Sequence, residues 1–214
     1  MSPLRDWIIS KLQEFEIHSF YYFSLKENFD MICDHGILPK NKVNELGLDS
    51  TSFADEAVQN RRDRKSVTLS NKISYNVHDL VPVYLTPKTP TLYARKELQE
   101  KIFFAEVQSN ILVDPVVNYA FTNGNIASDN RRDYYSLNFL KKIDWDTIRD
   151  ERWSGHDDGR RKRCSEFLIH PSIPLNRIWR FVVNNDRLND ELKAKLNQKG
   201  IDTEVITKRD YFFE

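Results

Sequence analysis

The chain has 214 residues, which suits one domain or one domain with small additions. Hydrophobic residues make up 40% of it, enough to bury a core, and no run approaches the length of a membrane span. Its 32 basic and 32 acidic residues cancel, so the net charge excludes no class of partner and only clusters of charge are informative.

The N-terminal part of the chain predicts two helices around one strand. Residues 3–16 carry apolar side chains at helical spacing, which is typical of a packing helix. The aromatic run Phe20–Ser24 is the first strand candidate, and Asn28–His35 predicts a second helix. Gly36 follows it as a C-terminal cap residue would.

Residues 39–55 lack clear periodicity and predict a long polar loop, which in a compact domain is more often functional than idle. A helical stretch follows at residues 56–65. The predicted strand Val81–Leu85 contains Pro82 and is followed by Pro87, so we expect it not to be a fully paired central strand.

The remaining elements mix strands and helices without regular alternation. A turn is expected at Asn123-Gly124-Asn125 and a second polar loop at residues 124–136. Strands are predicted at 101–108, 113–121, 177–183 and 203–206, and helices at 139–153 and 186–199. This order, without an internal repeat or an evident linker, favours the α+β class.

A basic run, Arg160–Arg163, leads into the short strand Phe167–Ile169, which Pro171 stops. Glu166 lies at the join, where the positive field favours its ionised form and burial opposes it. From this stretch alone, a solvated basic turn paired with the glutamate is the favoured interpretation.

Arginine and aromatic clusters leave two interpretations open. On a helix, Arg61 and Arg62 point about 100° apart, so one can turn inward to a diphosphate while the other stays solvated. The clusters 61–65, 131–132 and 160–163, interleaved with tyrosines, suit either a nucleic-acid surface or ordinary solvated charge.

Several other kinds of site are disfavoured. Six glycines include no phosphate-binding arrangement, which argues against Rossmann and P-loop folds. Cys33 and Cys164 lie far apart in the sequence, and without a signal peptide we expect reduced thiols in a cytoplasmic protein. Neither has a ligand neighbour at zinc spacing, so we expect no metal. The scattered histidines suit structural or solvent roles, with His78, before Asp79, as the candidate exception.

An ordered set of segments resembles the DarT family. They are Ala57–Lys65, Val77–Pro87, Thr89–Ala94, Phe121–Asn125, Ile143–Trp145, Ser165–Ile169 and Lys208–Phe213. DarT proteins are toxins that use NAD⁺ to ADP-ribosylate bases in single-stranded DNA, and a macrodomain antitoxin, DarG, removes the mark. Any one segment is weak evidence for the resemblance, but the whole set in this order is specific to the family.

The resemblance implies an α+β ADP-ribosyltransferase fold like that of the poly(ADP-ribose) polymerases. Split sheets, mixed or antiparallel, would lie at its centre with helices on their flanks. Residues 18–214 would form this domain, and residues 1–17 an additional N-terminal helix.

The resemblance also assigns roles by position. Glu166 matches the catalytic glutamate, and Arg62 the essential arginine that binds the NAD⁺ phosphates. Asn28 matches a polar residue of the nucleotide pocket, and residues 39–55 match the NAD⁺-binding loop. The segment from Thr122 to Glu166 matches the substrate loop, and the residues expected to bind the strand are Arg131, Tyr134, Arg160, Arg161 and Arg163.

The first strand departs from the family pattern, in which a His-x-Thr motif contacts NAD⁺. Tyr22-Phe23-Ser24 stands there, and we expect these residues to bind NAD⁺ through a rebuilt contact, since Tyr22 and Ser24 keep hydroxyl groups. The departure suggests a divergent member, and the target is a base in DNA or in RNA.

The leading hypothesis is therefore a toxin-like enzyme that transfers ADP-ribose from NAD⁺ to a base of single-stranded nucleic acid. A binding module without catalysis is the rival, and modification of protein is a weaker third hypothesis. The expected partners are single-stranded DNA or RNA and a DarG-type antitoxin, without a membrane.

Overall fold

The computed structural model describes residues 3–51 and 56–214. The α-helices are α1 (Pro3–Glu14), α2 (Phe29–His35), α3 (Lys40–Glu45), α4 (Glu56–Asp63), α5 (Pro90–Tyr93), α6 (Trp145–Arg149), α7 (Gly159–Lys162) and α8 (Asp186–Lys199). The strands are β1 (Ser19–Leu25), β2 (Ser66–Thr68), β3 (Ser74–Asn76), β4 (Val81–Tyr84), β5 (Ile102–Gln108), β6 (Asn118–Thr122), β7 (Asp133–Tyr134), β8 (Glu166–His170), β9 (Ile178–Val183) and β10 (Glu204–Thr207).

Within the described residues, eight strands form one mixed sheet in the order β10-β9-β5-β1-β4-β8-β6-β7. Strands β9 and β10 are parallel, and the other neighbouring strands are antiparallel. Strand β1 pairs with β5 along its whole length but with β4 only at Tyr21↔Tyr84. The sheet is therefore nearly divided between β1 and β4, and the predicted α+β class is confirmed.

Strand β4 lies inside this order, but its limited pairing with β1 agrees with the expectation drawn from its prolines. It pairs with β8 from Val81↔Ile169 to Tyr84↔Glu166. Pro82 lacks an amide hydrogen, so a strand that carries it cannot form a complete ladder on both sides. The register aligns Glu166 with Tyr84, the residue through which β4 keeps its pairing with Tyr21 of β1.

Both faces of the sheet bury apolar side chains, as the alternation along β5 illustrates. Phe103 and Ala105 belong to the main core, and Ile102 and Phe104 belong to a second cluster with the C-terminal Phe212. Burial on both faces explains why residues 102–105 are all apolar rather than alternating with polar residues.

The same alternation places Glu166 on the face opposite the main core. Phe167 and Ile169 of β8 pack in the main core, whereas Leu168 belongs to a third cluster beside the β2–β3 ribbon. Because side chains alternate across a strand, Glu166 shares the face of Leu168. This face forms part of the candidate site.

Several predicted elements are confirmed with small shifts of their ends. They include the helices at 3–16, 28–35, 56–65 and 186–199 and the strands at 20–24, 101–108, 177–183 and 203–206. Helix α1 buries Ile8 and Leu12 in the main core, so it packs on the rest of the fold. The domain boundary after residue 17 stays a prediction.

Three predictions of local structure need correction. Residues 39–55 contain helix α3, which buries Val43, while residues 52–55 of that predicted loop lie outside the described residues. The strand predicted at 113–121 begins only at Asn118, because Ser109–Val113 forms a 3₁₀-helix.

The single helix predicted at residues 139–153 is wrong, since the chain forms three short helical pieces there. They are the 3₁₀-helices Leu137–Lys142 and Trp153–Gly155 with α6 between them. Asp144 accepts a hydrogen bond from the Thr147 N–H at 3.1 Å, so it caps a new helix inside the predicted one.

Candidate active site

A cleft of about 960 Å³ lies between β1, helices α3 and α4, and the segment that leads into β8. A volume of this size is typical of small-molecule sites. The sequence-predicted residues that line it are Tyr22, Phe23, Ser24, Asn28, Arg62, Arg160 and Arg161. The structure thus brings together residues that are up to 139 positions apart in the chain (161 − 22).

Glu166 lies at the start of β8 with its side chain 1% exposed. Its Oε1 accepts a hydrogen bond from the Ile126 N–H at 3.0 Å. Its Oε2 has no hydrogen-bond partner among the described residues and lies 3.6 Å from Arg62 Nη2. The carboxylate is therefore held on one side and has unused acceptor capacity on the other.

The turn after β6 delivers the amide that holds Glu166. The Thr122 hydroxyl donates to the Gly124 carbonyl at 2.6 Å and shapes this turn. A Cβ at Gly124 would lie 2.3 Å from Arg161 Nη1, so the close approach of that arginine requires glycine. The predicted turn signal around Gly124 is thus part of the site.

Arg62 is the arginine of the adjacent pair that turns inward. Its side chain is 12% exposed and reaches Glu166, whereas Arg61 is exposed at the cleft rim. The sequence-based expectation that only one of the two faces inward agrees with this geometry. The 3.6 Å contact is longer than a hydrogen bond, so within the described part of the chain Glu166 does not occupy the donors of Arg62.

The electrostatics around Glu166 oppose each other. Burial raises the pKa of the Glu166 carboxyl, while Arg62 and the Ile126 N–H act to lower it. Burial also raises the pKa of the Cys164 thiol to about 11, and raises that of the Tyr84 hydroxyl. Both neighbours are therefore protonated and uncharged at neutral pH.

Asn28 fastens the chain that follows α3 to the first strand. Its Nδ2 donates to Ser24 Oγ at 2.9 Å and to the Thr51 carbonyl at 2.8 Å, and its Oδ1 accepts from the Thr51 N–H at 2.8 Å. The amide thus fixes the last described residue before the undescribed part of the predicted NAD⁺ loop.

The first-strand residues line the cleft in different ways. Phe23 stacks on Tyr84 with ring centroids 5.7 Å apart, and Ser24 is buried under Asn28. Burial raises the pKa of the Tyr22 hydroxyl, so this group is a neutral donor and acceptor at the cleft wall. This hydroxyl stands where the family pattern has a histidine.

The basic run Arg160–Arg163 divides into three environments. Arg160 is exposed at the cleft and pairs with no acidic side chain among the described residues. Arg161 is held by Asp158 Oδ2 at 2.5 Å and donates to the Asn123 carbonyl at 2.9 Å. Both remain candidates for strand binding.

Arg163 requires correction as a strand-binding residue, because it is buried and only 3% exposed. Its guanidinium donates to the carbonyls of Lys88 at 2.9 Å, Thr147 at 2.9 Å and Ile148 at 2.5 Å, and also to that of Asp150. This side chain joins three chain segments instead of facing a ligand.

Arg131 and Tyr134 lie outside the lining of the cleft. Arg131 forms an ion pair with Asp133, with Nε 3.0 Å from Oδ1. The Tyr134 ring packs between Phe121 and Phe139, with centroid distances of 5.4 and 5.5 Å. The strand-binding role of both residues stays a prediction.

Sequence reasoning missed one group of the site and only suggested a second. The Ile126 amide cannot be found from a residue type, and only the neighbouring turn signal pointed to it. His78 lines the cleft and is 5% exposed, which its position before Asp79 only suggested.

Within residues 3–51 and 56–214, no group of three or more His, Cys, Asp or Glu side chains is arranged to hold a metal ion. Over the same residues, no helix combines the length and apolar character that a membrane span requires. Both cysteines are free and buried.

Comparison with known proteins found a matching family model and several relatives of this chain. The family model described as "DarT: ssDNA thymidine ADP-ribosyltransferase, DarT" matches residues 21–213. A DNA ADP-ribosyl transferase of Thermus sp. (strain 2.9) is 25% identical over 190 residues, which cover 83% of this chain and 90% of that protein. One of Escherichia coli O127:H6 is 26% identical over 149 residues, 64% of this chain and 68% of that protein.

Solved structures share the fold. Thermus sp. 2.9 DarT in complex with ADP-ribosylated ssDNA superposes with a TM-score of 0.83 at 23% identity, covering 92% of this chain and 97% of that one. The complex of the same protein with NAD⁺ has a TM-score of 0.78 at 22% identity, over 92% and 98% of the two chains. Thermosipho africanus DarTG in complex with ADP-ribose has a TM-score of 0.79 at 20% identity, over 92% of this chain and 51% of that one.

Proposed function

Because the chain belongs to the DarT family of ssDNA thymidine ADP-ribosyltransferases, we propose that it transfers ADP-ribose from NAD⁺ to a base of single-stranded DNA. Nicotinamide is the leaving group. The observation that carries the proposal is the buried Glu166 carboxylate, held by one backbone amide and facing Arg62 at 3.6 Å beside a cleft of sufficient size.

NAD⁺ occupies the cleft with its charged and reacting parts near this pair. Arg62 donates to the diphosphate, which accepts two hydrogen bonds from a planar guanidinium. Displacement of Arg62 from its long contact exposes Glu166 Oε2, which accepts a hydrogen bond from a hydroxyl of the nicotinamide ribose. Tyr22, Phe23, Ser24 and Asn28 bind the remainder of the dinucleotide.

The transfer breaks the bond between the ribose C1′ and the nicotinamide nitrogen and forms one between C1′ and a nitrogen of the base, whose proton is released to solvent. Positive charge develops on the ribose as nicotinamide leaves. The Glu166 carboxylate stabilises this oxocarbenium-like state, because a preorganised negative charge acts strongly in a buried site. Ionisation of Glu166 is therefore required, and Arg62 supports it.

The strand passes the side of the cleft that carries Arg160 and Arg161. Exposed cations neutralise backbone phosphates, and a single strand presents its base edges unpaired. Thymine is the base that the family description implies, and the relative from Thermus sp. 2.9 was solved with ADP-ribosylated ssDNA. Arg131 and Tyr134 extend this path outside the cleft.

The cellular setting follows from the same chemistry. NAD⁺ and single-stranded DNA meet in the cytoplasm, where we place the protein. A macrodomain antitoxin of DarG type is the proposed partner, in keeping with the DarTG relative from Thermosipho africanus. We retain residues 18–214 as the catalytic domain and residues 1–17 as an additional helix.

Intact mass spectrometry of short homopolymers tests the proposal. The protein is incubated with NAD⁺ and with single strands of each base, as DNA and as RNA. We expect thymidine-containing DNA to gain one ADP-ribose. A gain on RNA alone would replace the substrate, and no gain on any strand, with NAD⁺ left intact, would favour the binding module without catalysis.

A further inference from the structure

A second buried polar group borders the cleft on the side of α3 and α4. His78 lies in the 3₁₀-turn Val77–Asp79, and the Asn76 side chain holds this turn by accepting the His78 N–H at 2.7 Å. His78 is 5% exposed, and its Nε2 has no hydrogen-bond partner among the described residues. A buried ring nitrogen without a partner is unusual and needs a reason.

Asp63 determines which ring nitrogen carries the hydrogen. Its Oδ1 lies 3.3 Å from His78 Nδ1, and a carboxylate can only accept, so Nδ1 carries the hydrogen and Nε2 presents a lone pair. Asp63 is largely exposed and stays hydrated, which leaves the imidazole itself as the buried partner of this pair.

The charged groups around the ring keep it neutral. Burial, Lys40 and Arg62 lower the pKa of His78, while Asp63 opposes them. A neutral imidazole with its lone pair at Nε2 is an acceptor, so it suits a hydroxyl or an N–H group and not a phosphate oxygen. The cations beside it, Lys40 and Arg62, suit a phosphate carried by the same ligand.

We propose that His78, oriented by Asp63, is a further substrate-binding residue, whose Nε2 accepts a hydrogen bond from a ribose hydroxyl of NAD⁺ or from a ring N–H of the acceptor base. The inference rests on the proposed function and extends it to residues outside the Glu166–Arg62 pair. Both donors have the same chemistry, and binding and transfer measurements distinguish them.

The test compares His78→Ala and His78→Gln with His156→Ala. His156 is the matched control, because it also pairs with an aspartate, Asp150 at 2.9 Å, but does not line the cleft. NAD⁺ affinity is measured by thermal shift without a strand, and transfer by mass spectrometry of oligothymidine. Melting temperatures without NAD⁺ report on folding.

We expect His78→Ala to reduce NAD⁺ affinity or the rate of transfer by about five- to tenfold, which is the equivalent of one hydrogen bond between neutral groups. A loss in NAD⁺ affinity identifies the ribose hydroxyl as the donor, and a loss in transfer alone identifies the base. Gln places a carbonyl oxygen near the position of Nε2, so His78→Gln should recover part of the loss. A purely structural histidine would give no such recovery.

Asp63→Asn adds a readout that keeps the imidazole. The amide can donate to Nδ1, which permits the tautomer with hydrogen on Nε2 and removes the acceptor. We expect this variant to lose activity as well, at an unchanged melting temperature. If wild type is active and the His78 and Asp63 variants all match His156→Ala within twofold, the inference fails while the proposed function stands.

Discussion

Arg62 and Arg163 are both largely withdrawn from solvent, yet they differ in the groups that accept their hydrogen bonds. Arg163 is enclosed and donates to backbone carbonyls from two distant segments. Among the residues that the structure describes, Arg62 pairs with Glu166 at 3.6 Å, beyond hydrogen-bond distance. The difference teaches that a cation enclosed by backbone carbonyls stabilises the fold, whereas a cation at the cleft with one long ion pair among the described residues is available to a ligand.

The α6 segment that Arg163 contacts also meets the end of the N-terminal helix. Arg149 of α6 donates to the Phe15 carbonyl at 3.2 Å, and Phe15 stacks on Trp145 with centroids 5.4 Å apart. Two of the carbonyls that Arg163 binds, those of Thr147 and Ile148, belong to α6. The residue that follows α1 thus contacts α6, the segment to which Arg163 is bonded.

Replacement of Arg62 should produce the largest change in activity. Arg62→Met removes the donors proposed for the diphosphate, and we expect transfer to fall by about 100-fold or more, as when one transition-state donor is lost. Arg64→Met is the matched control, since Arg64 is exposed and does not line the cleft. Similar transfer rates for the two variants would remove Arg62 from the mechanism.

Replacement of Arg163 should instead reduce stability. Arg163→Met leaves buried carbonyls without donors, so we expect a loss of about 3 kcal/mol, or roughly 6–12 °C in melting temperature. Arg160→Met replaces an exposed cation that is close to Arg163 in the sequence, and it should change stability by less than about 0.5 kcal/mol. Equal melting temperatures for these two variants would contradict the contrast between Arg62 and Arg163.

The pH dependence of stability should reveal the burial of Glu166. Since burial raises its pKa in the folded state, the folded protein holds this proton more tightly than the unfolded chain does. This contribution to stability is complete below the unfolded pKa and is lost as pH rises through the folded pKa. Glu166→Gln cannot titrate, so wild type should lose stability relative to it with rising pH.

Thermal melts of wild type and Glu166→Gln between acidic and neutral pH measure this difference. The comparison cancels the other titrating groups, which the two proteins share. A difference that stays constant, or that shifts in favour of wild type as pH rises, would mean that the Glu166 pKa is not raised.

The smallest effect is expected at the exposed cations. Arg160→Ala should weaken binding of a single strand and reduce the slope of log affinity against log salt by about one. Lys141→Ala, which removes an exposed cation outside the cleft lining, serves as the control. An unchanged slope for Arg160→Ala would place the strand elsewhere.

Sequence reasoning found elements whose signals are local. The apolar run after Glu166 and the proline behind it predicted β8, and adjacency alone predicted that only one of Arg61 and Arg62 turns inward. It failed for Arg163, because nothing in a run of four cations tells which one meets carbonyls contributed by Lys88, 75 positions away.

The site itself depends on contacts of the same long range. The Ile126 amide that holds Glu166 lies 40 positions earlier in the chain, and a backbone group has no residue signature. The proximity of Arg62 and Glu166 was expected only from the family resemblance. Inside the predicted helix at 139–153, the capping Asp144 was also overlooked, although its side chain was a local signal.

Release of nicotinamide by wild type and by Glu166→Gln, each with and without a thymidine-containing single strand, tests most directly whether this carboxylate drives the transfer. We predict strand-dependent release by wild type and a loss of at least about 100-fold in the variant, with its fold retained. Equal release by the two proteins would contradict the assignment of Glu166 as the catalytic residue.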